Sequence, residues 1–219
     1  VTTSDSGRFS LDSSVLPNNQ FNHRTYLRDI VFIPEAPSED APKQEIDLSD
    51  YNTVYISELK WGNSYSNAGK VTKDSATALE DLSIKGINYK KGFGMHASPR
   101  EGDSFVEVNV EGLGFKTFAA YVGVADLLLY ENIAQGSVVF IVSADGEELA
   151  RTPVLKYGDD PFLFLVDISD AKILRFSVGP ADDGIVGDVA VWCNACISKE
   201  DIGKGEAIFD LAKTIETKT

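Results

Sequence analysis

Between residues 51 and 198 the chain is a succession of short apolar or alternating runs separated by turn signals, none long enough for a helix of several turns. In 105–110, Val106, Val108 and Val110 share one face while Glu107 and Asn109 share the other, the period of two of a half-buried strand. Residues 173–178 repeat the pattern, with Leu174, Phe176 and Val178 opposite Arg175 and Ser177. The runs 117–124, 137–143 and 162–167 are mostly apolar, and the second ends in the hairpin signal Asp145-Gly146. Residues 54–61, 84–89 and 188–197 complete the series. There is no internal repeat and no alternation of strand and helix patterns, so the reading is an all-β, antiparallel β-sandwich or jelly roll.

The two ends read differently. Residues 1–50 are dominated by Ser, Asp, Asn and Pro, with one apolar island at 26–33, which predicts an extended N-terminal arm. Residues 206–218 place Ile208, Phe209, Leu211, Ala212 and Ile215 on one helical face, behind the flexible joint Gly203 and Gly205. The expected organisation is therefore an arm (1–50), a sandwich (51–198) and a tail with a short amphipathic helix (199–219). Ordering an arm so poor in apolar residues costs roughly 1–2 kcal/mol per residue. That cost predicts partner contacts through Tyr26, Ile30 and Phe32 in the arm and Phe209, Leu211 and Ile215 in the tail.

Charge narrows the partners. Lys and Arg number 20 against 34 Asp and Glu, a net charge of -14 in 219 residues. Nucleic acid and anionic membrane surfaces reward a basic footprint and are disfavoured. Cations, neutral ligands such as sugars, and basic protein partners fit the balance. No apolar run reaches transmembrane length. A chain that starts at Val1 without a signal sequence is expected to be a processed, extracytoplasmic product.

Little in the sequence carries covalent chemistry. The histidines are His23, in the arm, and His96, directly after the Gly92-Phe93-Gly94-Met95 turn. A hydrolytic nucleophile needs a base beside it, and neither a nucleophile elbow nor a zinc-protease pattern is present; the chain is expected to be non-catalytic. Cys193-Asn194-Ala195-Cys196 has redox spacing, but it lies in a strand pattern. The period of two there sets Cys193 with Val189 and Val191 and puts Cys196 on the opposite face with Trp192, which predicts two buried free thiols rather than a disulfide. No cofactor is expected. The acidic turns Asp159-Asp160 and Asp182-Asp183 are the only weak candidates for oxygen ligands to calcium, and they lack a dense Asp-x-Asp spacing.

Seven motifs stand in order from about 51 to 198: Tyr55 to Trp61, Lys73-Asp74-Ser75, Gly86 to Ala97, Phe118 to Asp126, Gly136-Ser137-Val138, Ala144-Asp145-Gly146 and Asp188 to Ala195. This ordered series resembles the NPCBM-type carbohydrate-binding modules, relatives of the galactose-binding-like β-sandwiches. Tyr55-Ile56-Ser57-Glu58-Leu59-Lys60-Trp61 resembles the family's opening strand motif, and Lys73-Asp74-Ser75 its charged loop. The stretch from Gly86 to Ala97 resembles its hallmark. Phe118 to Asp126, Gly136-Ser137-Val138, Ala144-Asp145-Gly146 and Asp188 to Ala195 follow in the family's order. The resemblance implies non-catalytic binding of galactose-type glycans, with His96, Trp61, Asp188, Trp192 and Asn194 as the ligand-binding candidates. Departures fall at the family's ligand positions. Asn67-Ala68-Gly69 stands where an aromatic loop is common, and Val189 and Val191 stand where the family has His and Asp. An altered ligand site is one expectation; a module that keeps the sandwich as an interaction subunit of a larger assembly is the alternative.

Overall fold

The computed structural model describes residues 41–127, 136–181, 183–213 and 215, together with the backbone of Thr2–Thr3 and Phe9–Ser10. The chain divides into two compact units, Val1–Ile33 and Pro34–Thr219. In the first, Thr2–Thr3 (β1) pairs antiparallel with Phe9–Ser10 (β2). Tyr26, Ile30 and Phe32, the arm's expected anchors, lie outside the described residues, as does His23.

The second unit is a sandwich. Its strands in chain order are Thr53–Tyr55 (β3), Ser64–Tyr65 (β4), Thr72–Lys73 (β5), Leu82–Ile84 (β6), Ile87–Tyr89 (β7), Gly92–His96 (β8) and Ser104–Asn109 (β9). Thr117–Val124 (β10), Ser137–Ala144 (β11), Glu147–Arg151 (β12), Leu155–Lys156 (β13), Phe162–Asp167 (β14), Ile173–Pro180 (β15), Val189–Ser198 (β16) and Ala212–Lys213 (β17) follow. One seven-stranded sheet runs β14-β10-β16-β3-β17, with β8 also on β16 and β5 on β8. The facing six-stranded sheet runs β12-β11-β15-β9-β4, with β13 on β11. All pairs within the two sheets are antiparallel except β17 with β3.

The inner faces meet on an aromatic centre. Trp192 of β16 stacks on Phe93 of β8 at 5.5 Å between centroids and meets Phe140 of β11 and Phe176 of β15 from the opposite sheet at 4.9 and 5.7 Å. The alternation read in the sequence holds in β9 and β15: Val106, Val108, Leu174, Phe176 and Val178 all enter this core. The hallmark glycines are explained by crowding. A Cβ on Gly92 would sit 2.1 Å from the Trp192 carbonyl, and one on Gly94 would sit 2.2 Å from the Ala76 carbonyl. Only glycine lets β8 lie that close to its neighbours.

The outer face of the seven-stranded sheet is covered twice. The β6–β7 hairpin lays Leu82 and Ile84 over Val189, Val191 and Cys193. The C-terminal segment lays Ile208 over Ala119 and Cys196. That segment holds the short helix expected in the tail, placed earlier than the 206–218 pattern. It is a 3-10 helix, Ile202–Leu211, broken at Gly205 (φ 52°, ψ -134°) and followed by β17. Gly205, read as part of a flexible joint ahead of the helix, is where the segment kinks, and the helix begins before that joint instead of after it. Phe209 and Ile215, expected to face a partner, turn inward. Phe209 stacks on Tyr121 at 4.9 Å, and Ile215 is 9% exposed with its N–H on Glu58 Oε2; Leu211 stays exposed.

The last ten residues assigned to the arm also belong to the sandwich. Ala41 and Leu48 are buried, Asn109 Nδ2 donates to the Ala41 carbonyl at 3.0 Å, and the Gln44 side chain bonds both backbone groups of Lys60.

Candidate functional site

The end of β8 carries His96. Its backbone is pinned by serines: Ser66 Oγ accepts from His96 N at 3.0 Å, and Ser104 Oγ donates to the His96 carbonyl at 2.7 Å. Ser98 Oγ lies 2.8 Å from Ser104 Oγ, and the Asn67 N–H lies 3.2 Å from it and 3.3 Å from the His96 carbonyl. These serines are buried, so each hydroxyl is satisfied within the protein rather than by solvent. The ring is fixed as well. His96 Nδ1 is 2.8 Å from the Ala97 carbonyl, and a carbonyl only accepts, so Nδ1 carries the hydrogen. In the neutral ring that leaves Nε2 as an outward acceptor. His96 and Asn67 are both part-exposed. Asn67, which the sequence marked only as lacking an aromatic, is the residue the serine network holds against His96.

Asp188 is the neighbour the sequence predicted. Ala97 N donates to the Asp188 carbonyl at 2.9 Å, one step beyond the His96–Val189 pair. Its side chain, however, is 1% exposed, and Oδ1 accepts the Ser137 N–H of the opposite sheet at 2.9 Å. Asp188 thus ties the two sheets together instead of facing a ligand. Oδ2 has no partner among the described residues. Burial pushes this carboxyl up to about 6, assisted by the Asp183 charge and opposed by the Ser137 N–H and His96.

This shift has a stability consequence. The folded pKa lies above the unfolded one, so Asp188 favours the fold most below about pH 4, where both states are protonated. Stability is lost as pH rises through about 4 to 6, and the loss is complete above that window. A shift from 3.8 to about 6 corresponds to about 3 kcal/mol. Asp188→Asn keeps an acceptor for Ser137 and removes the charge. Thermal melts from pH 4 to pH 7 are expected to show the variant gaining on the wild type by about that amount. Parallel curves would refute the assignment.

The remaining candidates lie elsewhere. Trp192 is fully buried in the core, which corrects its assignment as a ligand platform. The aromatic period placed it correctly on a strand but left open which face was inside. Trp61 lies edge-on to Phe93 at 5.7 Å, donates Nε1–H to the Ile56 carbonyl at 2.9 Å, and carries the Lys73 ammonium over its ring at 4.4 Å. That ring face is taken by a cation. Asn194 sits in a β-bulge of β16, where the register with β10 shifts between Ala119 and Tyr121, in a left-handed conformation (φ 49°), its N–H on the Lys91 carbonyl at 2.8 Å. Five residues of strand, roughly 16 Å, separate it from Val189 beside His96. The structure therefore joins His96 with Asp188, sets Asn194 further along β16, and leaves Trp61 packed on Phe93 under Lys73.

The bulge also corrects the cysteine reading. The extra residue shifts the period, so Ala190 and Trp192 face inward before it and Ala195 and Ile197 after it. Cys193 and Cys196 both end on the outer face, buried and free. The acidic turns are engaged within the chain. Asp159 accepts the Lys156 N–H, Asp160 pairs with Lys85, and Asp183 accepts from Ser137 Oγ; Asp182 lies outside the described residues. Among those residues no group of three or more His, Cys, Asp or Glu is arranged to hold a metal ion.

Comparison with known proteins agrees with this architecture. The family described as NPCBM/NEW2 domain matches residues 52–198. The protein named "Putative endo-alpha-N-acetylgalactosaminidase" of Renibacterium salmoninarum is 30% identical over 172 residues, covering 74% of this chain. The chain spans only 10% of that relative's length. Among solved structures, CBM51 from Clostridium perfringens GH95 in complex with methyl-galactose is 25% identical with a TM-score of 0.58, over 67% of this chain and 99% of that one. CBM51-2 in complex with GlcNAc and INT domains from Clostridium perfringens ZmpB is 28% identical with a TM-score of 0.58, over 67% of this chain and 31% of that one.

Proposed function

Because the chain belongs to the NPCBM/NEW2 domain family, we propose that it is a non-catalytic glycan-binding module whose ligand contact is centred on His96. The observation that carries the reading is the fixed His96 ring, with Nδ1 engaged on its own chain and Nε2 left as an acceptor at a sheet end. A sugar hydroxyl is the complementary donor, and part-exposed Asn67, whose backbone N–H bonds the His96 carbonyl, carries a side-chain amide that can both donate and accept. Sugar sites pair such directed polar groups with an apolar plate. Val189 and Val191 supply none of the polar groups, since the β6–β7 hairpin covers them, so the site is an altered, smaller one. The likeness to structures holding methyl-galactose and GlcNAc supports a galactose-type or N-acetylhexosamine ligand. The small share that the chain covers of its curated relative supports a place beside other domains.

Calorimetric titration with methyl β-galactoside and with GlcNAc tests this. The wild-type chain is expected to bind one of them, and His96→Ala to weaken it about tenfold, the worth of one good hydrogen bond. Equal affinity of wild type and variant would remove His96 from the site. Absence of binding to either sugar, joined with capture of a protein partner, would favour an interaction subunit.

A further inference from the structure

A second feature lies at the turn of the β6–β7 hairpin, away from His96. A cleft of about 530 Å³ opens there between Lys85-Gly86, Asn88 and Asp126 on one side and Tyr157-Gly158 on the other. Both walls are held by the protein itself. Asp126 accepts the Lys85 N–H at 3.1 Å, the Gly86 N–H at 2.7 Å and the Ser83 hydroxyl at 2.5 Å. Lys85 takes a left-handed conformation (φ 49°) to complete that turn, a strained position for a residue with a side chain. Across the cleft, Tyr157 N donates to the Gly136 carbonyl at 3.0 Å and Lys156 N to Asp159 Oδ2 at 2.8 Å. An ion pair between Lys85 and Asp160, 2.8 Å, links the two walls.

Two side chains of this cleft are exposed and carry no side-chain partner among the described residues. Tyr157 is 42% exposed, and among the described residues no ring or cation packs on it. Asn88 is exposed, and among the described residues its amide has no hydrogen-bond partner. An exposed aromatic ring and an exposed amide lining one cleft, with the ammonium and carboxylate of the paired turns beside them, match a ligand that has both hydroxyls and an apolar C–H face. An anion is disfavoured because Asp126 and Asp160 share the cleft and Lys85 is already neutralised. An apolar ligand would strand the polar lining.

We propose that this cleft is a second saccharide subsite. The inference rests on the glycan-binding reading and extends it from a single sugar to a short oligosaccharide. The ladder sets the two sites on one end of the same sheet. His96 pairs with Val189, Ala125 N donates to the Val189 carbonyl at 2.8 Å, and Asp126 follows. That is a lateral distance of two strand spacings, about 10 Å.

The test is a titration of the full chain, followed by backbone amide NMR shifts, with methyl β-galactoside, lactose and N-acetyllactosamine. At least one disaccharide is expected to move Gly86, Asn88, Asp126 and Gly158 as well as Asn67 and Ala97. Tyr157→Ala and Asn88→Ala, both surface changes, are expected to abolish the first set of shifts. They are expected to weaken that disaccharide about tenfold, with methyl β-galactoside affinity unchanged. Disaccharide shifts confined to the His96 end, or unaltered disaccharide affinity in both variants, would overturn the second subsite and leave the first standing. No shift with any of the three sugars or with GlcNAc would overturn both.

Discussion

Trp192→Ala is expected to lower the unfolding free energy by about 3–5 kcal/mol, at the upper end for core truncations. The indole is the point where the two sheets meet: Phe93, Phe118 and Phe164 touch it from its own sheet, Phe140 and Phe176 from the other. Removing it opens a cavity walled by rings that cannot all collapse inward, so both the transfer and the cavity contributions are lost. Its Nε1–H has no partner among the described residues, a cost that Trp192→Phe removes while keeping most of the packing. Phenylalanine is therefore expected to recover most of the loss. Urea denaturation of the three chains checks this; an alanine variant as stable as wild type would place the indole outside the core.

Ending the chain after Glu200 is the second large effect. The family match stops at residue 198, yet residues beyond 200 finish the outer face of the sheet. Ile208 is fully buried on Ala119 and Cys196, Phe209 covers Tyr121, and β17 extends the sheet edge at β3. Two or three such side chains, at about 1.5–3 kcal/mol each, offset by the entropy of ordering the segment, amount to a loss of about 3 kcal/mol. The truncation has a specific chemical signature. In the full chain Cys196 is buried and its thiol is pushed up to about 12, so it is inert to thiol reagents. Without the tail it is expected to react while the fold persists. A truncated chain of unchanged stability with an unreactive Cys196 would show that the tail covers nothing of consequence.

The sandwich was legible because the core face writes a period of two into the sequence: Val106, Val108, Leu174, Phe176 and Val178 enter the core as that period places them, although Glu107, Asn109 and Ser177 on the other face are buried too. What the pattern hid was local backbone geometry. The bulge at Asn194 adds one residue to β16 and reverses the face of Cys196, and nothing in the composition of Cys-Asn-Ala-Cys announces it. In the tail the helical face read from residue 206 onward ends at Leu211 and gives way to β17, a change the spacing of its apolar residues does not announce. Asp188 and Trp192 show a different limit. Motif order found them beside the hallmark, but whether a polar or aromatic residue at a strand end faces ligand or core depends on the second sheet. Ser137 and Phe140, far away in sequence, decide it.

The decisive question is where a sugar sits. Crystals of the full chain soaked in methyl β-galactoside, or in GlcNAc where that is the sugar bound, give the answer directly. The prediction is a saccharide hydroxyl within about 3 Å of His96 Nε2, with the Asn67 amide as its neighbour. A sugar bound at Trp61 or Asn194 with the His96 ring untouched would contradict it.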